Sequence, residues 1–339
     1  MRIAVIGAGS WGTAMTGLAA EHADEVVLWA RELEIVEGVN ANGKNPVYLK
    51  DYQLSDKVRA TGSMAEAATG ADAVIIAAPS AFLRPVCHEL AEHLGGDVPV
   101  LVLSKGIEPE SHLLMHEVAA LELGGVERIA ALSGPNHAEE ISTGTISAAV
   151  IASQGEHAAR FFQKALLSPR FRAYVTDDIA GIEVCGAVKN VIAIACGAAV
   201  GLGCGDNTLA VLMTRGIAEI SRIASAYGGR PITCMGLAGM GDLIVTCTSR
   251  HSRNRTFGEA LVQGESLAEY EARTRMIVEG ARAAVSVHEL AAEKGIRVPI
   301  SNAVYAMLYE GADADTALEL LTEREPDQEF YGFAGEGIA

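Results

Sequence analysis

The sequence predicts an α/β domain on a mostly parallel sheet, residues 1–178, followed by an all-α domain, residues 179–339. Three observations predict it. Short Val- and Ile-rich runs alternate with helical patterns through the first half. That alternation stops after Tyr174-Val175-Thr176-Asp177-Asp178, where long apolar helical stretches begin. At 339 residues, the chain is also longer than one hydrophobic core usually serves.

Ile3–Ile6, Glu25–Trp29, Ala73–Ala77, Pro99–Leu103, Ile129–Leu132 and Ser147–Ile151 read as buried strands. Helical patterns lie between several of them, at Trp11–Ala20, Phe82–His93, Ser111–Leu121 and Glu156–Leu167. Strands separated by helices make a parallel sheet covered on both faces. In the second half, Ile179–Val200 and Asn207–Tyr227 read as long helices, the latter stopped by Gly228-Gly229. Arg255–Gln263, Ala281–Lys294, Ser301–Glu310 and Ala314–Leu321 are helical too, and the polar tail from about Glu323 is expected to be loosely ordered.

The 26 basic and 43 acidic side chains leave a net charge of −17, without the basic footprint a nucleic-acid binder needs. A small phosphorylated partner remains compatible if a local basic cluster receives it. The six cysteines form no CxxC and read as reduced, mostly buried thiols of an intracellular protein. No signal-peptide layout opens the chain. The longest uncharged stretch, between Lys189 and Asp206, is interrupted by glycines and shorter than the roughly 20 residues of a membrane helix. The expectation is a soluble cytoplasmic protein without a membrane span.

Gly7-Ala8-Gly9-Ser10-Trp11-Gly12 matches GxGxxG directly after a strand and before a helix. Gly7 would permit the tight turn, Gly9 the approach of a pyrophosphate, and Gly12 close helix–strand packing. The phosphates would sit on free N–H groups at the helix start. This makes the first domain Rossmann-type. The second strand ends at Arg31, where NAD selection would usually place an acid. Arg31 therefore favours NADP(H), while Glu32 beside it keeps NAD(H) open.

Lys189 lies in the most apolar helical stretch, and its neighbours three and four positions away include no acid. A buried ammonium without a partner loses its proton or finds a partner elsewhere, and such a lysine can move protons near neutral pH. A side chain snorkelling to solvent is the alternative. Gly236-Leu237-Ala238-Gly239-Met240-Gly241-Asp242 reads as a glycine-rich loop suited to close backbone approach. The run from Thr246 to Arg255 follows, with three arginines and several hydroxyls suited to a phosphate dianion. Ser104-Lys105-Gly106 places a cation at the carboxyl end of the sheet, where ligands bind in such folds. His112 and His116 have zinc-like spacing but no third ligand, so they read as surface helix residues and no metal is expected.

These segments together resemble the NAD(P)-dependent glycerol-3-phosphate dehydrogenase family over nearly the whole chain. The resemblance is carried by Gly7–Gly12, Ser104-Lys105-Gly106, Ser133-Gly134-Pro135, Lys189-Asn190, Gly239–Asp242, Ser252-Arg253-Asn254-Arg255 and Val278-Glu279-Gly280. It implies reduction of dihydroxyacetone phosphate to sn-glycerol 3-phosphate, feeding glycerophospholipid synthesis, with NADP(H) or NAD(H) as cofactor. It implies that Lys189 is the proton donor and acceptor, with Lys105 and Asp242 at the reacting centre. Asn190, Thr246, Ser252, Arg253 and Asn254 would hold substrate, with Arg253 also near the cofactor. Ser10, Trp11, Arg31, Lys105, Ala138 and Glu279 match cofactor positions. Gly134 and Asn136 match substrate-side positions, although the family often has Ser or Thr where Asn136 stands. A homodimer is the assembly kept in view. A dehydrogenase of β-hydroxy acids would not need the Arg253 cluster, and a non-catalytic nucleotide-binding protein would not need Lys105, Lys189 and Asp242 together.

Overall fold

The structure is a computed structural model that describes residues 1–322; the expectation for the tail lies outside the described residues. Contacts group the chain into two units. The first comprises residues 1–104 and 115–179, the second 105–114 and 180 onward. Residues 105–114, placed by the sequence reading in the first domain, thus belong to the second unit.

The first unit is an eight-stranded sheet: β1 (Arg2–Ile6), β2 (Glu25–Trp29), β3 (Val58–Thr61), β4 (Ala73–Ile76), β5 (Val100–Val102), β6 (Ile129–Ser133), β7 (Ser147–Ser153) and β8 (Phe171–Thr176). The strand order is β3-β2-β1-β4-β5-β6-β7-β8. Every neighbouring pair is parallel except β6 with β7. Helices α1 (Ser10–His22), α2 (Leu33–Asn42), α3 (Met64–Ala68), α4 (Leu83–Ala91), α5 (Met115–Leu123), α6 (Ala138–Ser142) and α7 (Glu156–Leu166) connect the strands. The core is aliphatic, from Ile3, Val5, Val26, Leu28, Ile75 and Leu101 on the strands to Met15, Leu18 and Phe162 on the helices. The strand order reverses at β1, so a crevice lies outside the carboxyl ends of β1 and β4, where ligands bind in open α/β sheets.

β3 and β8, the two edge strands, lie outside the strands expected from sequence. In β8, Phe171 and Ala173 are buried while Arg172 and Tyr174 are exposed. A strand with one wet face alternates rather than forming a continuous apolar run. The helix expected at Ser111–Leu121 begins only at Met115. Glu110 and His112 have φ of 66° and 56°, which no α-helix accommodates, and Ile107 bridges to Leu114 instead. His112 and His116 consequently fall in different units, and His116 is buried rather than on the surface.

The second unit is helical: α8 (Ile179–Gly201), α9 (Asp206–Ala226), α10 (Pro231–Cys234), α11 (Asp242–Thr248), α12 (Arg253–Leu261), α13 (Leu267–Thr274), α14 (Glu279–Lys294), α15 (Pro299–Tyr305) and α16 (Ala314–Thr322). Ser252 and Ser266 cap α12 and α13. α8 and α12 approach backbone to backbone: a Cβ on Gly197 would lie 1.9 Å from Arg255 O, and one on Gly258 2.1 Å from Ile194 O. Two stretches, Ile179–Gly201 and Pro231–Thr248, are long and apolar enough to cross a bilayer by length and composition. In the first, 89% of the apolar window is buried inside the protein, as in a core helix.

Candidate active site

The glycine turn of the first unit runs from β1 into α1. Gly7 has φ 114° and donates its N–H to Trp29 O at 3.1 Å. A Cβ on Gly12 would lie 1.9 Å from Gly7 O, whereas one on Gly9 would meet nothing within 4 Å. Gly12 is thus compelled by packing, and Gly9 opens the backbone to a ligand. Gly9 is also the N-cap of α1 and brings no side chain to its first N–H groups. A dinucleotide pyrophosphate fits this cradle. Asn45, which the sequence reading passed over, braces it: its amide donates to Ala8 O at 2.9 Å and Thr13 Oγ1 at 2.8 Å. An isolated Asn-Pro pair carries no signal for such a contact.

Arg31 follows β2, its side chain 78% exposed, and reaches Glu32 at 3.3 Å. Ala138 opens α6. Gly134 and Asn136 lie just after β6, and the Asn136 Nδ2 is buried without a partner among the described residues. Such a donor carries a desolvation cost unless a ligand or water takes it. A cavity of about 350 Å³ in this unit, between Leu18, Tyr52, Arg170 and Phe171, is lined by none of the predicted site residues.

The second unit brings Lys189, Lys105, Asp242 and Thr246 together. Lys189 Nζ donates to Asp242 Oδ1 and, at 2.7 Å, to Thr246 Oγ1. Lys105 Nζ donates to Asp242 Oδ2 at 2.8 Å. The Thr246 hydroxyl donates in turn to Asp242 O at 2.6 Å, one helical turn back. Lys189 and Asp242 are buried, while Lys105 keeps a fifth of its side chain exposed. Burial brings the Lys189 ammonium down to about 8; Asp242 opposes that shift and Lys105 adds to it. Burial alone would push the Asp242 carboxyl up, but Lys105 and Lys189 outweigh it and hold it below the usual carboxylate range. The partner that Lys189 lacks along its own helix is therefore supplied by α11.

The glycine-rich stretch before Asp242 is a correction to the sequence reading. It folds as a π-helical turn, Leu237–Gly241, that leads directly into α11. A Cβ on Gly239 would lie 2.1 Å from Cys234 O, so its close approach is to this chain's own backbone. The basic run is likewise less of a loop than expected, since Thr246–Thr248 ends α11 and Arg253–Arg255 opens α12. Arg255 pairs with Glu259 at 2.8 Å, whereas Arg253 is exposed with no ion pair among the described residues. Ser252 Oγ accepts the Arg255 N–H as the α12 cap. Asn254 donates to Asn190 Oδ1 and accepts from the Gly280 N–H, both at 2.9 Å, tying α12 to α8 and α14. Glu279 stands beside Gly280 in the first turn of α14.

The chain is 46% identical over 334 residues to the glycerol-3-phosphate dehydrogenase [NAD(P)+] of Thermobifida fusca, covering 98% of this chain and 99% of that protein. The chain belongs to the NAD-dependent glycerol-3-phosphate dehydrogenase family. The family's N-terminal model matches residues 2–159 and its C-terminal model residues 178–319. The enzyme of the same name from Clostridium perfringens is 42% identical over 328 residues, 97% of this chain and 99% of that one. The crystal structure of glycerol-3-phosphate dehydrogenase from Coxiella burnetii superposes with a TM-score of 0.90 at 36% identity, covering 95% of this chain and 99% of that one.

Proposed function

We propose that Lys189, Lys105 and Asp242 form the reacting centre of an NAD(P)-dependent glycerol-3-phosphate dehydrogenase. The reaction is reversible reduction of dihydroxyacetone phosphate to sn-glycerol 3-phosphate. The observation that carries the assignment is one buried carboxylate, Asp242, shared by two lysines. When bound, the nicotinamide cofactor supplies the hydride.

Lys189 has three N–H bonds, and Asp242 and Thr246 take two of them. The third is left for the substrate oxygen, which needs a proton as it becomes an alkoxide. An ammonium near 8 is mostly charged at neutral pH yet gives up its proton readily. Lys105, held on the other Asp242 oxygen, adds a second positive charge where negative charge develops. Arg253, exposed and without an ion pair among the described residues, is suited to grip the phosphate through a guanidinium fork. The buried Asn136 amide, unpartnered among the described residues, supports a ligand contact beside Gly134 in the first unit.

Residues 1–178, apart from the 105–114 segment, serve as the dinucleotide domain, with Gly7, Gly9, Ser10, Trp11 and Gly12 at the pyrophosphate. Arg31 would receive a 2′-phosphate, and Ala138 would line the cofactor site. Residues 179–339 serve as the substrate domain, joined by Lys105. The free thiols fit a reducing compartment, so the cytoplasm is the proposed setting; glycerophospholipid synthesis is the proposed use of the sn-glycerol 3-phosphate product. A homodimer is the proposed assembly, and sedimentation equilibrium decides it.

The test mixes purified protein with dihydroxyacetone phosphate and follows loss of the reduced-nicotinamide absorbance with NADPH and with NADH. Turnover confined to the phosphorylated ketone supports the reading. Absence of turnover alongside tight NADPH binding would replace it with a nucleotide-binding role.

A further inference from the structure

The reacting centre explains where the Lys105 ammonium goes but not what holds the chain that carries it. That chain, residues 105–114, is a short arm grouped with the helical unit. Ile107 bridges Leu114, and the arm closes on itself through Glu108 N–H to Leu113 O at 2.9 Å and His112 N–H to Glu108 O at 3.0 Å. At its tip Glu110 and His112 adopt left-handed backbone conformations, which persist only when surroundings hold them.

The surroundings that hold it converge on His112. Its Nε2 lies 3.3 Å from Glu289 Oε2 and its Nδ1 3.6 Å from Glu293 Oε2, two carboxylates one turn apart on α14. Its carbonyl accepts the Tyr227 hydroxyl, which follows α9, at 2.6 Å. Nearer the base of the arm, Ser286 Oγ of α14 donates to Ile107 O at 3.1 Å. The remaining charges are Lys294, which donates to the other Glu293 oxygen at 2.8 Å, and Glu108 and Glu110 on the arm itself. Glu108 accepts the Ser111 hydroxyl at 2.6 Å. A carboxylate therefore faces each ring nitrogen, Glu289 at hydrogen-bond distance and Glu293 just beyond it.

We propose that His112 is a positioning residue for Lys105: seated between Glu289 and Glu293 and pinned by Tyr227, it fixes the 105–114 arm and so holds Lys105 Nζ on Asp242. The proposal rests on the reading of Lys105 as part of the reacting centre. His112 touches no reacting atom and acts through the arm. Without the latch the arm keeps its sequence but loses its anchor, and the ammonium samples positions away from Asp242.

The test uses His112→Asn, which removes the ring that lies between the two carboxylates while tolerating a left-handed backbone, and Tyr227→Phe, which removes the pin without changing charge. Each should lower kcat for dihydroxyacetone phosphate by about three- to tenfold, a modest cost of misplacing one charge. NADPH affinity, read by fluorescence titration, should not move. Amide hydrogen exchange should quicken across residues 107–114. His112→Arg, which again places N–H donors between the two carboxylates, should recover much of the loss. In a Lys105→Ala background neither variant should lower kcat further, because the residue they position is gone. Unchanged kcat and exchange in both variants would overturn the proposal, as would equal losses with and without Lys105. A costly Lys105→Ala beside a silent His112→Asn defeats the latch alone. A silent Lys105→Ala defeats the reading of Lys105 and the proposal with it.

Discussion

The ammonium of Lys189 donates to the carboxylate of Asp242, 53 positions further along the chain, and both groups are buried. Because burial brings Lys189 down to about 8, its protonation state changes within an accessible pH range. With Lys189 as the proposed proton donor and acceptor, oxidation of glycerol 3-phosphate needs the free amine, and reduction needs the ammonium. The kcat/KM for oxidation should therefore rise as pH passes about 8, and that for reduction should fall there. Lys105 contributes to the lowering, so Lys105→Ala should move both limbs to higher pH. A limb that stays in place would mean another group sets it. Lys189→Ala should abolish turnover and leave NADPH binding intact.

Arg253 should act through the substrate phosphate. A charged hydrogen bond to a buried dianion contributes about 1.5–3 kcal/mol, and a guanidinium can make two. Arg253→Ala should then lower kcat/KM by roughly one to four decades, at 1.36 kcal/mol per decade. Arg253→Lys should recover only part, since a point charge does not reproduce the fork. Dihydroxyacetone, which has no phosphate, is the control. Parallel losses with both ketones would move Arg253 to the cofactor or the fold.

Arg31 stands at the end of β2, exposed and opposed only by Glu32 among the described residues. Arg31→Asp should reduce kcat/KM with NADPH far more than with NADH, because it replaces a phosphate partner with a repelling acid. Equal losses with the two cofactors would remove Arg31 from reading the 2′-phosphate.

Asn45 holds the glycine turn from a distance of more than thirty residues in sequence. Its carbonyl oxygen also accepts the Val47 and Tyr48 N–H groups at 3.0 and 2.9 Å. Asn45→Ala strands several buried partners and should cost about 1–3 kcal/mol, seen as a lower Tm. KM for NADPH should rise while KM for dihydroxyacetone phosphate stays. An unchanged cofactor KM would reduce Asn45 to a purely structural brace.

Glu219 is buried on α9, and burial pushes its carboxyl up to about 7 from an ordinary 4.5. Hydrogen bonds from the Ile300 and Ser301 N–H groups, and from the Ser301 hydroxyl, oppose that rise at the start of α15. The folded protein thus holds a proton that the unfolded chain has lost between pH 4.5 and about 7, so stability from this group declines as pH rises through that window. A shift of this size corresponds to about 3 kcal/mol. Tm of Glu219→Gln relative to the parent should therefore be higher at pH 8 than at pH 5. The same difference at both values would show that the carboxyl does not titrate there.

Much of this protein is legible in local pattern. The strand–turn–helix at Gly7–Gly12 is contiguous, so its three glycine roles can be assigned before any contact is known. The same holds for α8 and α9, whose apolar lengths lie within the segments themselves, and for the Gly228-Gly229 stop that directly follows α9. Lys189 could be singled out because no acid stands three or four positions away on its helix, but Asp242 as its partner could not, since helical spacing says nothing about a residue 53 positions away. β8 alternates buried and exposed residues because only one of its faces is covered, which the packing of the whole sheet decides. Ser111 and His112 carry a helical pattern, yet contacts with Tyr227, Glu289 and Glu293 accompany a left-handed turn there. Propensity is a bias of a few tenths of a kcal/mol per residue, and a handful of long-range bonds exceeds it. Local pattern therefore suffices where a segment's partners lie within it, and tertiary packing decides wherever a charge or a backbone turn is satisfied from elsewhere in the chain.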